Sequence, residues 1–224
     1  MAIKEVVGLR KKNTGVRKRG KARREQLLKA AYELLCEQPV EEIAFIDIAN
    51  RADVPEGSAY HFFSNKFDVF AALAKEMSER FIQEQRKPIR GAKTKTWQDL
   101  ADVFVTRGAG IYRDTPPARQ LFIGGKTPPE IKLEDRINDR AVAEAMLEVF
   151  TQHFILPSSA DYLNVFYIFI EITDLIFTLS MQEHGELTED MIEEAKRAGK
   201  AYLGVYFTDI LEKKRPARRK KQSG

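Results

Sequence analysis

The sequence has few of the residues that build disulfides, export signals or strands. Cys36 is the only cysteine among 224 residues, which excludes an internal disulfide and favours a reducing, cytoplasmic compartment. The N-terminus is polar and basic, and it has no apolar segment of signal-peptide length. Runs of strictly alternating apolar and polar residues are also missing, so we predict no strand.

The residue patterns of common enzymes are absent as well. The three histidines, His61, His153 and His184, have no metal-binding spacing, and no phosphate-binding or dinucleotide-binding glycine pattern occurs. Cys36 falls in an apolar helical segment, where packing is a more ordinary role than nucleophilic attack. We therefore predict no catalytic residue, no metal site and no cofactor, and we keep a helical enzyme as an alternative from another class.

One apolar segment, residues 162–181, is long enough to span a membrane. It contains Asn164, Glu171 and Asp174, and acidic residues near the centre of a span cost about 2.5–3.5 kcal/mol each on insertion. A helix that is apolar all round is also expected when it is buried on both sides. We therefore predict a buried helix and no membrane contact.

Charge is distributed unevenly along the chain, whose formal net charge is +4. Residues 1–24 contain ten Lys or Arg and one acidic residue, and residues 213–224 contain seven Lys or Arg and no acidic residue. The body between these ends therefore carries a formal charge of −12. Basic ends on an acidic body fit a polyanionic partner, although basic tails also occur as plain solubilising segments.

Apolar residues recur at helical spacing along most of the chain, which predicts an all-α fold. A first helix starts near residue 24 and ends before Pro39, two short helices flank Val54-Pro55, and a fourth runs from Asn65 to about Lys87. Residues 88–95 are basic and helix-poor, which is typical of a joint between domains. Beyond this joint we predict helices over residues 97–113, after 115–117, and over 127–154, 158–184 and 188–213.

Residues 48–66 carry the most informative pattern, two short helical segments joined by a tight turn. Gly57 has no Cβ, so the backbone there can approach a phosphate, and the free N–H groups in the first turn of the second segment favour anions. Ser58, Tyr60 and His61 can donate hydrogen bonds to phosphates or base edges. In such a unit the start of the second helix enters the major groove of DNA.

This unit resembles the helix-turn-helix of TetR-family transcriptional regulators. The family pattern is close to Thr-x-x-x-Ile-Ala-x-x-Ala-Gly-Val-Ser-x-Gly-Thr-x-Tyr-x-x-Phe-x-x-Lys, and the first helix is similar too. The resemblance covers about residues 24–70. It implies a two-fold dimer on an inverted-repeat operator in double-stranded DNA, and a C-terminal domain that binds a small molecule and then releases DNA. The matching residues are Ile48, Ala49, Ala52, Val54, Gly57, Tyr60, Phe63 and Lys66, with Ser58 in place of Thr.

Several positions depart from the family pattern. Ala44 replaces a phosphate-binding Thr, Asp53 replaces the turn Gly, and Pro55 replaces the Ser that starts the recognition helix. Phe62 occupies a position that is often polar, where it can meet thymine methyl groups or stay exposed. Lys66 is expected to contact the DNA backbone across the groove. The predicted DNA-binding residues of the unit are Ala44, Pro55, Gly57, Ser58, Tyr60, His61, Phe62 and Lys66.

The reading head, which we define as residues 25–66, carries a formal charge of −5. Neutralisation of phosphates dominates salt-dependent DNA affinity, so an acidic unit needs a basic supplement. We expect the basic N-terminal arm to supply it through Arg19, Arg23 and Arg24 among others, by reaching into an adjacent minor groove. The alternative is an arm with no role in binding.

The second half of the chain is rich in Phe and Met at helical spacing. Most of these side chains are expected to be core, and four glycines between residues 108 and 125 leave room for a cavity. Glu171 and Asp174 lie three residues apart on an apolar helix, where they face solvent, bind the polar end of a ligand or pair across a dimer. The predicted ligand-binding residues are Phe104, Tyr112, Met146, Phe150, Phe166, Glu171 and Asp174.

We expect the last two helices to form a dimer interface, where the small residues Gly199 and Gly204, with Ala198 and Ala201, would let helices pack closely. A symmetric pair forms a four-helix interface and sets two reading heads about one DNA turn, or a multiple, apart. The predicted interface residues are Phe177, Ala201, Tyr202, Val205, Tyr206 and Ile210.

These patterns together predict a dimeric repressor of nearby genes that a hydrophobic or amphipathic small molecule releases from its operator. Repression is the common mode of the family that the chain resembles. The expected domains are a flexible arm over 1–23, a DNA-binding domain over 24–70 with a connecting helix to about 87, a regulatory domain over 95–213 and a basic tail over 214–224. The alternative within DNA binding is an architectural protein held by its tails, without a ligand switch.

Overall fold

The structure of the protein, a computed structural model, describes residues 14–89, 94–127 and 129–214. The described chain is all-α, as predicted, and its one β feature is an isolated antiparallel bridge between Phe154 and Lys213. Its elements are α1 (Thr14–Glu37), α2 (Phe45–Arg51), α3 (Glu56–Ala59), α4 (Lys66–Arg86), α5 (Trp97–Asp114), α6 (Pro116–Ala118), a π-helical turn (Arg119–Ile123), α7 (Pro129–His153), α8 (Tyr162–His184) and α9 (Glu189–Leu203).

The first three helices share a small core with the start of α4. Leu35 of α1, Ile48 of α2, Ala59 of α3 and Phe70 of α4 are all fully buried. Burial of apolar surface stabilises such a core by about 25 cal/mol per Å². Because Ala59 is small, the short α3 can lie close against its neighbours.

The start of α1 differs from the prediction, because the helix begins at Thr14 and not near residue 24. The flexible arm predicted over residues 1–23 is therefore wrong for residues 14–23, and residues 1–13 lie outside the described part. Lys, Arg and Ala in this stretch are good helix formers. An ion pair joins Lys21 to Glu25 at 3.6 Å, and another joins Arg24 to Glu76 of α4 at 3.8 Å.

Local sequence signals fix several helix ends. Asn65 Oδ1 accepts hydrogen bonds from Phe67 N at 2.8 Å and Asp68 N at 3.1 Å, which caps α4 as predicted. Asp68 Oδ2 accepts a second capping hydrogen bond from Ser64 N at 2.9 Å. In a standard capping box this bond would come from the backbone N–H of the cap residue, Asn65. Gly185 ends α8 with a φ of 73°, a left-handed conformation that glycine adopts without a Cβ clash.

Helix α4 joins the two halves of the molecule. Its first half packs on α1, and its second half packs against α5 and α7. Phe70 belongs to the N-terminal core, while Phe81 lies in the aromatic interior of the second half. Eleven residues of helix separate them, which is about 16 Å at a rise of 1.5 Å per residue.

The last helix is shorter than predicted, because α9 ends at Leu203 and not near Lys213. The segment after it is held by other partners. Trp97 Nε1 donates to Thr208 O at 2.9 Å, Ile155 N donates to Glu212 O at 2.8 Å, and Lys214 N donates to His153 O at 2.8 Å. A continued helix would need some of these carbonyls for its own backbone hydrogen bonds.

Helix α8 buries only one side within the single chain. It is long and apolar enough to cross a membrane by length and composition, but the core helix of a soluble protein passes the same test. Phe166 and Phe169 face the interior, whereas Leu175 and Leu179 are 60% and 39% exposed. The prediction that this helix is buried on both sides is therefore wrong for one copy of the chain.

Candidate DNA-binding surface and ligand cavity

Most of the predicted DNA-contacting residues are exposed around α3. Pro55 is the N-cap residue of α3 and lies one residue before its first turn, with a φ of −53°. The Pro55 carbonyl accepts a hydrogen bond from Ser58 N at 2.8 Å. Gly57, Tyr60 and His61 are exposed, and Ser58 is half-buried. Ala44, the cap residue of α2, is also exposed and offers no hydroxyl to a phosphate. The surface therefore presents Gly57 and Ser58 within α3, and Tyr60 and His61 at its C-terminal end and just beyond it.

Phe62 does not lie free on this surface. It is half-buried and packs against the core, and its Cε1 lies 3.8 Å from the position of a Cβ at Gly20 of α1. Phe62 is therefore less exposed than predicted and packs on α1, while its contact with thymine methyl groups stays a prediction. The extended α1 causes this difference, since residues before 24 were not expected to form a helix.

Lys66 is engaged inside the chain. Its Nζ donates to Ile43 O at 2.7 Å and to Glu41 O at 3.3 Å, and it lies 5.5 Å from the centroid of the Phe67 ring. An ammonium group has three donors, and two of them fix the loop before α2. Lys66 therefore positions the loop before α2, and its phosphate contact stays a prediction that rests on the remaining donor.

The basic side chains of α1 fall into two groups. Arg19 and Arg23 are exposed on the helix, where they can face a polyanion. Arg24 lies 5.2 Å above the centroid of the Phe63 ring and pairs with Glu76, so it stabilises the packing of α1 on α4. Arg24 is thus held against the protein and not extended toward a groove as predicted.

Asp53 occupies the turn between α2 and α3 in a left-handed conformation. Its φ is 52°, the one positive φ of a non-glycine residue in the described ranges. Val54 N donates to Ala49 O at 3.0 Å, which closes the turn. Asp tolerates this conformation better than most residues, so the turn keeps its geometry without the family glycine.

A cavity lies between α4, α5, α7 and α8. The space open to the centres of water molecules is about 40 Å³, which is enough for a few waters, so a larger ligand must displace side chains. Four of the predicted ligand-binding residues line it, namely Phe104, Tyr112, Met146 and Asp174.

The other predicted ligand residues lie elsewhere. Phe150 and Phe166 are fully buried, and their rings pack against each other in a tilted arrangement with 4.6 Å between centroids, which makes them core. Glu171 lies 3.6 Å from Arg136 outside the cavity lining. Phe177, predicted for the dimer interface, is 2% exposed and lines the cavity, so a second copy cannot reach it.

The sequence prediction missed the contribution of α4 to the cavity. Ser78, Phe81 and Gln85 line it from that helix, and Asp139 and Val142 line it from α7. Ser78 and Gln85 are 5% and 4% exposed. Two polar residues seven positions apart in the apolar stripe of α4 were the signal available in the sequence.

Asp174 is the most perturbed acid of the described chain. Tyr112 donates its hydroxyl to Asp174 Oδ2 at 3.0 Å. Burial raises the pKa of Asp174 to about 7, the nearby Glu171 charge acts in the same direction, and the Tyr112 hydrogen bond opposes both. The carboxyl group is therefore poised to gain or lose a proton near neutral pH.

Gln120, in the π-helical turn, connects the cavity wall to the DNA-binding half. Its Nε2 donates to Leu35 O at 2.7 Å and to Gln38 O at 3.0 Å, and its Oε1 accepts from Val40 N at 2.6 Å. The amide thus holds the C-terminal end of α1 and the loop behind it. Phe122, two residues later, lines the cavity, so the same turn touches both sites.

Cys36 differs from its prediction. The residue is exposed, so the expectation that it is packed is wrong, because it lies on the outer side of α1 near the helix end. Partial burial and the charges of Glu37 and Glu33 raise the pKa of its thiol, which disfavours the thiolate. Within the described ranges no group of three or more His, Cys, Asp or Glu side chains is placed to hold a metal ion.

Comparison with known proteins identifies both halves of the chain. The sequence model described as "Bacterial regulatory proteins, tetR family" matches residues 27–73, and the model described as "Tetracyclin repressor-like, C-terminal domain" matches residues 95–206. A "Fatty acid metabolism regulator protein" of Bacillus subtilis (strain 168) is 32% identical over 69 residues, which are 31% of this chain and 36% of that protein. The match thus spans about a third of that relative's length.

Solved structures share the fold over most of the chain. A TetR-family transcriptional regulator from Streptomyces coelicolor has a TM-score of 0.65 and 24% identity, and the match covers 83% of this chain and 99% of that one. A TetR regulator from Rhodococcus sp. RHA1 has a TM-score of 0.63 and 20% identity over 83% and 97% of the chains. A fatty acid degradation regulator from Bacillus halodurans has a TM-score of 0.59 and 17% identity over 81% and 95%. With one family model matching the N-terminal part and another matching half of the chain in its C-terminal part, the chain belongs to the TetR family of DNA-binding bacterial regulatory proteins.

Proposed function

We propose that the chain is a homodimeric repressor that binds an inverted-repeat operator near the genes it controls and that a small hydrophobic or amphipathic molecule releases it. The observation that carries this proposal is the placement of α4. Its first half packs in the helix-turn-helix core, and Ser78, Phe81 and Gln85 in its second half line the cavity. One rigid helix thus connects the two sites.

The limited size of the cavity supports ligand control. A molecule larger than a few waters must move aromatic side chains such as Phe81 and Phe122, whose ring centroids lie 5.7 Å apart. Phe81 belongs to α4, and Phe122 belongs to the turn that holds α1 through Gln120. A ligand that prefers the shifted arrangement by about 1–3 kcal/mol would give coupling of ordinary allosteric size.

Exposed apolar side chains support dimerisation. Leu175 and Leu179 lie uncovered on α8, and Val205 is 77% exposed just after α9. A second copy related by a two-fold axis would cover such a face and pair two reading heads. Ala201 is exposed, and Tyr202, Tyr206 and Ile210 lie in the same C-terminal region, so these predicted interface residues stay in the proposal without Phe177.

The names of two relatives suggest an acyl compound as one ligand candidate for this chain, because they refer to fatty acid metabolism and fatty acid degradation. The apolar lining of the cavity is compatible with the hydrocarbon part of such a ligand.

The test is to sequence the genomic fragments that the purified chain retains and to repeat this with a chain lacking residues 1–13 and 215–224. A short inverted repeat beside a few genes, retained by both chains, would support a dimeric operator-binding regulator. Unselective retention that disappears with the truncation would instead support the architectural alternative, in which basic tails alone bind DNA.

A further inference from the structure

The polar side chains that line the cavity can offer a ligand hydrogen-bond acceptors but few hydrogen-bond donors. Ser78 Oγ donates to Ala74 O at 2.9 Å, and Thr173 Oγ1 donates to Ile170 O at 2.9 Å. Tyr112 donates its hydroxyl to Asp174. Each hydroxyl hydrogen is therefore directed at an acceptor already, and what these side chains can still offer a ligand is lone pairs.

Gln85 adds a buried acceptor with no partner. Its Nε2 donates to Phe104 O at 3.4 Å, and this carbonyl fixes which end of the amide is the nitrogen. Its Oε1 is buried and receives no hydrogen bond from any described residue, and Gln85 is one of the residues that line the cavity. A buried carbonyl oxygen without a donor costs free energy, so a ligand that donates to it is favoured.

The charge of the lining has one sign. Asp139 and Asp174 contribute carboxylates, and the cavity wall formed by the described residues contains no Lys, Arg or His. A carboxylate or phosphate ligand would meet like charge in a desolvated space, which disfavours binding. The charge of a cationic ligand would instead be balanced by these carboxylates.

The aromatic rings around Asp174 also favour a positively charged ligand. The centroid of the Tyr112 ring lies 5.0 Å from that of Phe81, 5.9 Å from that of Phe177 and 6.5 Å from that of Phe122. Aromatic faces attract cations within about 6 Å, and most strongly when the site excludes water. Acceptors, carboxylates and rings thus converge on one kind of ligand.

We propose that the effector is a hydrophobic molecule carrying a protonated amine, whose N–H groups bind Asp174 and Gln85 Oε1 while its apolar body displaces part of the aromatic cluster. The regulatory consequence of this inference rests on the proposed function, whereas the binding preference does not. The hydrocarbon chain of a fatty acid, a ligand suggested by the relatives' names, would fit the apolar part of the cavity, but its carboxylate would be repelled by the carboxylates of the lining.

The experiment compares three probes with one apolar body: 4-phenylbutylamine, 4-phenylbutanol and 4-phenylbutyrate. Binding to the full chain is measured by isothermal titration calorimetry at pH 7.5. We expect the amine to bind at least about tenfold more tightly than the alcohol, since a charge-assisted hydrogen bond replaces a neutral one, and the carboxylate to bind most weakly. Equal or tighter binding of 4-phenylbutyrate, or no binding of the amine, would overturn the inference.

Substitutions in the cavity test whether Asp174 and Gln85 cause the tighter binding of the amine. Asp174→Asn keeps an acceptor for Tyr112 but removes the charge, and Gln85→Met removes the unpartnered oxygen at similar volume. Both should reduce the preference for the amine over the alcohol, whereas Glu183→Gln, which removes an exposed acid elsewhere on α8, should retain it. Thermal melts confirm that each variant is folded. A preference unchanged in both cavity variants would place the amine elsewhere and overturn the inference.

The same samples separate this inference from the proposed function. Operator binding is measured without a probe and then with each probe. A chain that binds no operator overturns the proposed function, while an amine preference in the calorimeter would still support the cavity assignment. A chain that binds its operator and is released by 4-phenylbutyrate more effectively than by the amine overturns the inference and leaves ligand control in place.

Discussion

Three side chains that depart from the family pattern lie at the helix starts and at the turn of the helix-turn-helix. Asp53 takes the left-handed turn position, Ala44 caps α2 without a hydroxyl, and Pro55 caps α3. Asp47 Oδ2 accepts from Ala44 N at 2.8 Å, so α2 still has a capped start. These residues offer fewer groups for phosphate contacts than the family pattern does, so we expect more of the DNA affinity to come from the exposed residues around α3 and from the basic segments.

A first prediction concerns Asp53. The change Asp53→Gly should raise the free energy of unfolding by up to about 1 kcal/mol, because glycine adopts a positive φ without a Cβ clash. It should also tighten DNA binding by removing a negative charge from the reading head. Chemical denaturation and a DNA titration measure the two effects. Asp53→Asn separates them, since it removes the charge and keeps a Cβ: tighter binding with little gain in stability is expected, and the opposite pattern would refute the assignment.

A second prediction concerns Asp174, whose carboxyl faces Tyr112 from α5, Asp139 from α7 and Glu171 on its own helix. Its pKa is raised to about 7 in the fold, so the folded protein holds one more proton than the unfolded chain between about pH 4 and pH 7. Stability from this group is therefore present at low pH and lost as the pH rises through 7. Asp174→Asn should gain stability relative to the parent by about 2–4 kcal/mol between pH 4 and pH 8.

Denaturant titrations of both chains at several pH values measure this difference. Taking the difference cancels the other titrating groups, which the two chains share. A constant difference across the range would mean that Asp174 titrates as an exposed carboxyl does.

At the scale of elements, two connections lead from the cavity to the reading head. Helix α4 carries Ser78, Phe81 and Gln85 on one end and the core residue Phe70 on the other. The π-helical turn carries Phe122 beside Gln120, and the ion pair between Lys126 and Glu41 follows close behind. Both connections are packed or hydrogen-bonded, so a shift at the cavity can move α1 and α4 together.

A third prediction concerns the Gln120 connection. Gln120→Ala removes three hydrogen bonds to the end of α1 and the loop that follows, and it should lower the free energy of unfolding by about 1–3 kcal/mol. It should also weaken the effect of a bound ligand on DNA affinity. Gln120→Glu is the matched control, because it keeps the acceptor for Val40 N and loses the donors to Leu35 O and Gln38 O.

DNA titrations with and without ligand measure this coupling, and denaturation measures the stability. Loss of stability with unchanged coupling in Gln120→Ala would assign the transmission to α4 alone.

At the scale of the whole molecule, the single chain exposes apolar side chains, and its basic residues are concentrated at the two ends of an acidic body. Leu175 is 60% exposed on α8, and an exposed apolar face of this kind is the basis of the proposed dimer surface. Within the chain, Gly199 serves the contact between α9 and α8, since a Cβ there would lie 2.5 Å from Phe169 Cε2. That glycine, predicted for packing between copies, is therefore used inside one copy.

A fourth prediction tests the dimer. Leu175→Glu should convert a dimer to a monomer, because a charge would be buried in an apolar interface without a partner. Affinity for an inverted repeat should fall more than about tenfold, since each monomer then binds one half-site. Sedimentation and a DNA titration measure both results. Ile155→Glu is the control on an exposed residue beyond α7, and equal losses in the two variants would argue against α8 as the interface.

A fifth prediction concerns charge. Residues 1–13 contain four Lys or Arg and one acid, and α1 adds the exposed Arg19 and Arg23. Deleting residues 1–13 should lower both DNA affinity and the slope of its logarithm against the logarithm of salt concentration, because fewer counterions are released. An unchanged slope would show that the deleted residues do not meet phosphates.

The sequence by itself determined the all-α class, the helix-turn-helix and most helix ends, because these depend on contacts within about twenty residues. Asn65 caps a helix through amides two and three positions away, and Gly185 ends one through its own φ. Only the tertiary structure decided the parts that depend on distant segments. The cavity joins side chains from α4 to α8, Lys66 turns to the Ile43 carbonyl, Phe62 packs beside an unexpectedly long α1, and α9 stops where Trp97 holds the following chain. Periodicity shows which face of a helix is apolar, but which neighbour covers that face is settled by packing.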